Sequence, residues 1–160
     1  MPKSPDRVEL ASGLNSNRLI SGLWQVADLE RGDGPLDRSA AADALQAYVD
    51  AGFDTFDMAD HYGSAELIVG SLLARYPVGK RRPLAFTKWC PEPGAMTAEV
   101  VRKGVQERLE RLGVESIDLL QLHWWTFDHP AWLDALHEMN RLREQGLIGE
   151  LGVTNFDAAH

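Results

Sequence analysis

The chain has little of what marks a secreted, membrane-bound or nucleic-acid-binding protein. Among its 160 residues there is one cysteine, Cys90, so no internal disulfide forms and nothing calls for an oxidising compartment. No apolar run approaches the ~20 residues that span a bilayer, and Met1–Leu10 lacks the apolar core of a leader segment. Basic residues are outnumbered, 16 Lys+Arg against 24 Asp+Glu, and the formal charge of −8 argues against a phosphate-binding surface. A glycine-rich phosphate fingerprint is also missing. Trp24-Gln25-Val26-Ala27 stands in the first strand-to-helix turn, which disfavours a doubly wound dinucleotide-binding fold. What is present is ordinary for a folded protein: 44% hydrophobic and 25% charged residues. The expectation is a cytoplasmic protein with no nucleic-acid or membrane partner.

Strand-like and helix-like patterns alternate along the chain. Arg7–Leu10 and Leu14–Asn17, separated by Ala-Ser-Gly, read as a hairpin. Apolar strand candidates follow at Leu19–Leu23, Phe53–Ala59, Leu84–Lys88, Ile117–Leu122 and Ile148–Val153. Between them, after a Gly/Asp/Pro-rich loop at Asp28–Leu36, lie amphipathic helices with recognisable ends. Asp37 or Ser39 caps the first and Gly52 stops it. The second carries Leu67, Ile68, Leu72 and Leu73. Thr97 opens the third and Gly113 stops it. Pro130 opens the fourth, with Leu133, Leu136, Met139 and Leu142 on one face.

The strands begin near positions 19, 53, 84, 117 and 148, a spacing of 31–34 residues that matches one βα unit. Such a repeat predicts an α/β fold of the (β/α)8 TIM-barrel type, although eight strands normally take ~250 residues. Five are visible. The reading is therefore a single barrel domain over residues 1–160, truncated after its fifth strand, with no second domain.

Barrels carry their chemistry at the C-terminal strand ends. There the sequence places Trp24 and Gln25; then Asp57, Asp60, His61 and Tyr62; then Lys88 and Trp89; then His123, Trp124 and Trp125; and finally Thr154 and Asn155. Lys88 closes an apolar stretch, where an ammonium is costly without a partner, and Asp57 on the adjacent strand is the expected counterion. A phenol beside that pair, Tyr62, is suited to give a proton to a carbonyl oxygen, with His123 as donor or orienting group. Asp60 and His61 read as loop residues rather than metal ligands, Cys90 as inert, Trp125 and Trp132 as packing, and Arg102–Arg111 as a solvated helix face.

Four segments in order carry a family resemblance. Phe53-Asp54-Thr55-Phe56-Asp57-Met58-Ala59-Asp60-His61-Tyr62-Gly63 resembles the aldo-keto reductase signature, with Asp five positions before Tyr. Phe86-Thr87-Lys88, Asp118-Leu119-Leu120-Gln121-Leu122-His123-Trp124 and Gly152-Val153-Thr154-Asn155-Phe156 are similar to the family's later segments, and the likeness runs from about Arg7 to Phe156.

The resemblance implies a catalytic set of Asp57, Tyr62, Lys88 and His123. Tyr62 would be the general acid assisted by Lys88, Asp57 would hold Lys88, and His123 would orient the carbonyl. It also implies a cofactor, NADPH or else NADH, contacted by Gly22, Leu23, Trp24, Asp57, Thr154 and Asn155. Trp24, Trp89 and Trp124 would wall a pocket for a small carbonyl substrate, with no metal. Two other classes fit less of the sequence: a Schiff-base lyase using Lys88, and a non-catalytic half barrel that self-associates through uncovered strand edges.

Overall fold

In a computed structural model, residues 5–26, 37–77 and 79–160 are described; the Asp28–Leu36 loop lies outside them. The first two strands, β1 (Arg7–Ala11) and β2 (Leu14–Asn17), form the expected antiparallel hairpin. Its turn needs Gly13 at φ +84°, a region that other residues rarely adopt. The rest is a parallel sheet in the order β3 (Ser21–Gly22), β4 (Thr55–Asp57), β5 (Leu84–Trp89), β6 (Ile117–His123) and β7 (Ile148–Thr154). The connecting helices are α1 (Arg38–Asp50), α2 (Ala65–Leu73), α3 (Ala98–Leu112) and α4 (Trp132–Glu144).

The caps follow from local chemistry. Asp37 accepts from the Ser39 and Ala40 amides to start α1, and Thr97 accepts from the Val100 amide to start α3. Gly113, at φ +65°, ends α3 in the left-handed conformation that its lack of a side chain permits. Helix α4 begins at Trp132, two residues past Pro130, and Leu133 is exposed. Its buried stripe is Ala135, Met139 and Leu142, with Leu136 packed against the core, so of the expected face only Leu133 turns outward.

Period-two alternation divides each strand between two faces. Phe56, Ala85, Trp89, Leu120, Leu122 and Trp124 join the core formed with the helices. Asp57, Lys88, Gln121, His123 and Thr154 share the opposite face, where Lys88, Asp57, Gln121 and Thr154 bond in a chain and His123 bonds to Asn155. The register pairs Gly22 with Asp57, Lys88 with Gln121, and His123 with Thr154. Polar side chains from neighbouring strands therefore lie at similar heights.

The first strand is shorter than its apolar run suggests. Leu19 and Ile20 are exposed and only Ser21 and Gly22 pair with β4. The hairpin instead fixes the opposite end of the sheet. The Asn17 side chain donates to the Gly52 carbonyl and accepts from the Asp54 amide, while its own amide donates to Thr55 Oγ1. Arg7 and Arg81 both pair with Asp54, and Arg82 pairs with Asp118. That end is tied by ionic and amide contacts, leaving the C-terminal strand ends open.

Two corrections concern side-chain direction. Trp89, expected in the substrate pocket, follows Lys88 and so turns to the helix side. It is 5% exposed and lies so close to Gly104 of α3 that a Cβ there would stand 2.4 Å from the indole. The helix–strand approach thus requires glycine at 104. Arg102–Arg111, read as solvated, contains the buried Arg108 and the half-buried Arg111, which converge on a fully buried Glu66.

Candidate active site

Lys88 projects from the end of β5 and its Nζ donates to Asp57 Oδ2 at 2.5 Å and to the Met58 carbonyl at 3.0 Å. Only a tenth of its side chain is exposed, so these acceptors offset the desolvation of the ammonium. Asp57 Oδ1 accepts from Gln121 Nε2 at 3.4 Å, and Gln121 Oε1 accepts from Thr154 Oγ1 at 3.2 Å. One polar chain thus crosses β5, β4, β6 and β7. Gln121 was missed in the sequence. Its signal is the spacing of two from His123, which puts both on the polar face.

Tyr62 sits in the turn after β4, held by its amide on the Ala59 carbonyl. The Lys88 Nζ lies 5.4 Å from the centre of its ring. Trp24 packs edge-on against the same ring at 4.7 Å and His61 at 4.9 Å. The structure therefore gathers Trp24, Asp57, His61, Tyr62 and Lys88 at one mouth.

His123 completes the group from β6. Its ring centre is 5.4 Å from that of His61, and Asn155 Nδ2 donates to its Nε2 at 2.9 Å. Burial pushes the His123 imidazole below its ordinary value of 6.5, and the neighbouring His61 and Lys88 push in the same direction against the opposing pull of Asp60. A neutral ring is thereby favoured. With Nε2 accepting, the proton resides on Nδ1, which is buried and has no hydrogen-bond partner.

The residues expected at the cofactor divide between two places. Gly22 ends β3 and Leu23 and Trp24 follow it, with the Leu23 amide bonded to the Asp57 carbonyl and its side chain buried in the core. At Gly22 the space that a Cβ would occupy is open for 4 Å, and Trp24 is 38% exposed. Across the sheet stand Thr154 and Asn155, the latter at φ +68°, the one non-glycine among the described residues with positive φ. Their polar groups bond to Gln121 and His123 rather than standing free.

Trp124, expected to wall the pocket, is instead buried in the core, its Nε1 donating to the His129 carbonyl. Trp125 takes the exposed position. It lies 4.4 Å from the His123 ring, is 62% exposed, and donates from Nε1 to Cys90 Sγ at 2.6 Å. Pleating that sends His123 to the polar face sends Trp124 to the helices and returns Trp125 to the mouth. Trp132 packs with Phe127 and Phe156, as a packing residue should.

The residues behind the mouth form an ionic support. Glu66 accepts from Thr87 Oγ1 at 2.7 Å, Arg108 Nε at 3.1 Å and Arg111 Nε at 2.7 Å. Arg108 lies 3.5 Å from Asp60, which accepts from the Cys90 amide at 2.8 Å and pairs with His61 Nδ1 at 3.0 Å. A second Arg111 contact goes to the Gly63 carbonyl. Helices α2 and α3 are thus linked to the loop that carries His61 and Tyr62.

Sheet topology defines a barrel-type α/β protein with a cluster of polar and aromatic side chains at its strand ends. The chain belongs to the aldo/keto reductase family, whose family model matches residues 18–160. It is 33% identical to the 6-dehydroglucose reductase of Novosphingobium aromaticivorans, over 91% of this chain and 49% of that protein. It is 27% identical to the NADH-specific methylglyoxal reductase of Escherichia coli, over 90% and 50% respectively. Among solved structures, the glycerol dehydrogenase of Gluconobacter oxydans superposes with a TM-score of 0.72 at 31% identity, covering 91% of this chain and 47% of that one. The Bombyx mori aldo-keto reductase in complex with NADP shares the fold, with a TM-score of 0.73 at 22% identity, over 99% and 53%. The chain spans about half the length of the curated relatives it matches.

Proposed function

We propose that the mouth formed by Tyr62, Lys88, Asp57 and His123 belongs to a nicotinamide-dependent reductase of small carbonyl compounds. The observation that carries this reading is the gathering of Tyr62 beside the Lys88–Asp57 pair, with His61 packed between the Tyr62 and His123 rings. Open space at Gly22, the part-exposed Trp24, and the amide and hydroxyl of Asn155 and Thr154 fit a nicotinamide held at the strand ends. A reduced nicotinamide supplies a hydride when bound.

The chain's own groups handle the proton. Tyr62 gives its hydroxyl proton to the carbonyl oxygen as negative charge develops there, and the Lys88 ammonium steadies the phenolate left behind. Asp57 and the Met58 carbonyl hold Lys88 in place. His123, kept neutral, donates to the carbonyl from Nε2 once the Asn155 amide leaves that nitrogen for the nicotinamide. NADPH is the preferred cofactor on this reading, with NADH the other candidate, and the lone cysteine fits a reducing cytoplasm. A Tyr62→Phe variant that turns over within a few-fold of the parent would remove Tyr62 from the role of acid.

The Schiff-base reading is disfavoured, because the Lys88 ammonium donates to two acceptors where a nucleophile needs a free amine. Self-association is part of the proposal. Strands β3 and β7 are unpaired on their outer edges among the described residues, and Val153 on β7 is 46% exposed. Sedimentation of the 160-residue chain is expected to give dimers or larger species. A monodisperse monomer that unfolds cooperatively would contradict this.

A further inference from the structure

Beside the proton-transfer group lies a cluster that shares His123 with it and adds two donors, His61 and Cys90, that carbonyl reduction does not use. Taking one ring nitrogen from each histidine and the cysteine sulfur, the donor atoms of His61, Cys90 and His123 all lie within 4.8 Å of one another. We propose that these three side chains bind one soft divalent transition-metal ion of the Zn²⁺ class at the mouth of the site.

Neighbouring groups already hold the donors in place. Asp60 Oδ1 pairs with His61 Nδ1, the carboxylate–histidine arrangement that orients an imidazole and leaves Nε2 as the lone pair. His123 is 6% exposed and its buried Nδ1 has no partner, an uncompensated polar atom for which a ligand is the chemical explanation. Turning the Asn155 amide over lets its oxygen accept from Nε2–H, which moves the His123 proton and frees Nδ1 to coordinate. Cys90 Sγ accepts a hydrogen bond from Trp125 Nε1, which favours a thiolate, while burial and the neighbouring Asp60 and Glu92 push the thiol up, so the ion itself has to displace the proton. On binding, the thiol proton goes to solvent and a metal–sulfur bond replaces the S–H bond.

Two imidazoles and one thiolate favour Zn²⁺-class ions over Mg²⁺ or Ca²⁺, which prefer oxygen ligands. A tetrahedral site with bonds of ~2.0–2.3 Å needs donor separations of about 3.3–3.8 Å. A contraction of roughly 1 Å from the 4.8 Å limit is required. His61, with 36% of its side chain exposed, is the ligand with room to move. Three protein ligands leave a fourth position for water. Where the reductase reading holds, occupancy withdraws His123 from the carbonyl, so the same ion would act as an inhibitor.

Titration of the reduced 160-residue chain with Co²⁺ tests the site without reference to turnover. Because Cys90 is the one cysteine in the chain, a thiolate-to-cobalt charge-transfer band reports its coordination directly. The expected result is a band that saturates at one ion per chain and is bleached by Zn²⁺. His61→Ala and Asp60→Asn, each checked for native far-ultraviolet circular dichroism, should weaken Co²⁺ binding by about tenfold or more. Absence of the band, or a band unchanged in whichever of the two variants is folded, would overturn the proposal.

Discussion

Replacing Tyr62 by Phe is expected to lower carbonyl reduction by about 10²–10⁴-fold, the usual worth of a positioned general acid. Reduced nicotinamide should still bind. The substitution removes one hydroxyl and nothing else that the fold uses. The ring contacts to Trp24 and His61 and the approach of Lys88 are made by the aromatic face, which Phe retains. A loss confined to turnover therefore measures proton donation. Steady-state rates with a small aldehyde, set beside a cofactor-binding titration of the same variant, make the comparison. Turnover within a few-fold of the parent would mean that another group gives the proton.

The second large effect is on stability. Glu66→Ala is expected to destabilise the chain by about 3–5 kcal/mol, the range for breaking a buried ion pair from one side. Glu66 is 0% exposed and binds Thr87, Arg108 and Arg111. Its removal leaves Arg108, whose side chain is 7% exposed, with Asp60 at 3.5 Å and the more exposed Glu107 as remaining ionic partners. Coulombic compensation at that separation is weaker than the lost hydrogen-bonded pairs. Urea unfolding followed by Trp fluorescence measures the difference. A change below about 1 kcal/mol would place the pair with exposed salt bridges instead.

The barrel-type repeat was legible because strand and helix periods alternate on a 31–34 residue spacing, and the caps at Asp37, Thr97 and Gly113 follow from local chemistry. Strand ends then located Asp57, Tyr62, Lys88 and His123, which the structure brings together at one mouth. What was not legible depends on direction and tertiary partners. The choice among Trp89, Trp124 and Trp125 turns on which face the pleat presents at a strand's last residues, a signal that period-two alternation from Lys88 and His123 carries only once those two are known to face the mouth. Arg108 looks like any charged helix residue until α2 brings Glu66 against it. Leu19 and Ile20 look like strand because apolar runs do, yet only Ser21 and Gly22 find the β4 backbone.

The His61–Cys90–His123 cluster teaches the same lesson. Its members come from three different strand ends, and no linear spacing announces them. Asp60, read as a loop residue, ties them to the ionic support behind the mouth by accepting from the Cys90 amide and pairing with both His61 and Arg108.

The central claim is that reduced nicotinamide seats across the strand ends between Gly22–Trp24 and Thr154–Asn155. Titration of the chain with NADPH and with NADH, read through quenching of tryptophan fluorescence, tests it most directly, since Trp24 and Trp125 are exposed at that mouth. The account predicts saturable quenching by at least one of the two, reversed by the matching oxidised nucleotide. An absence of saturable quenching with both would contradict it.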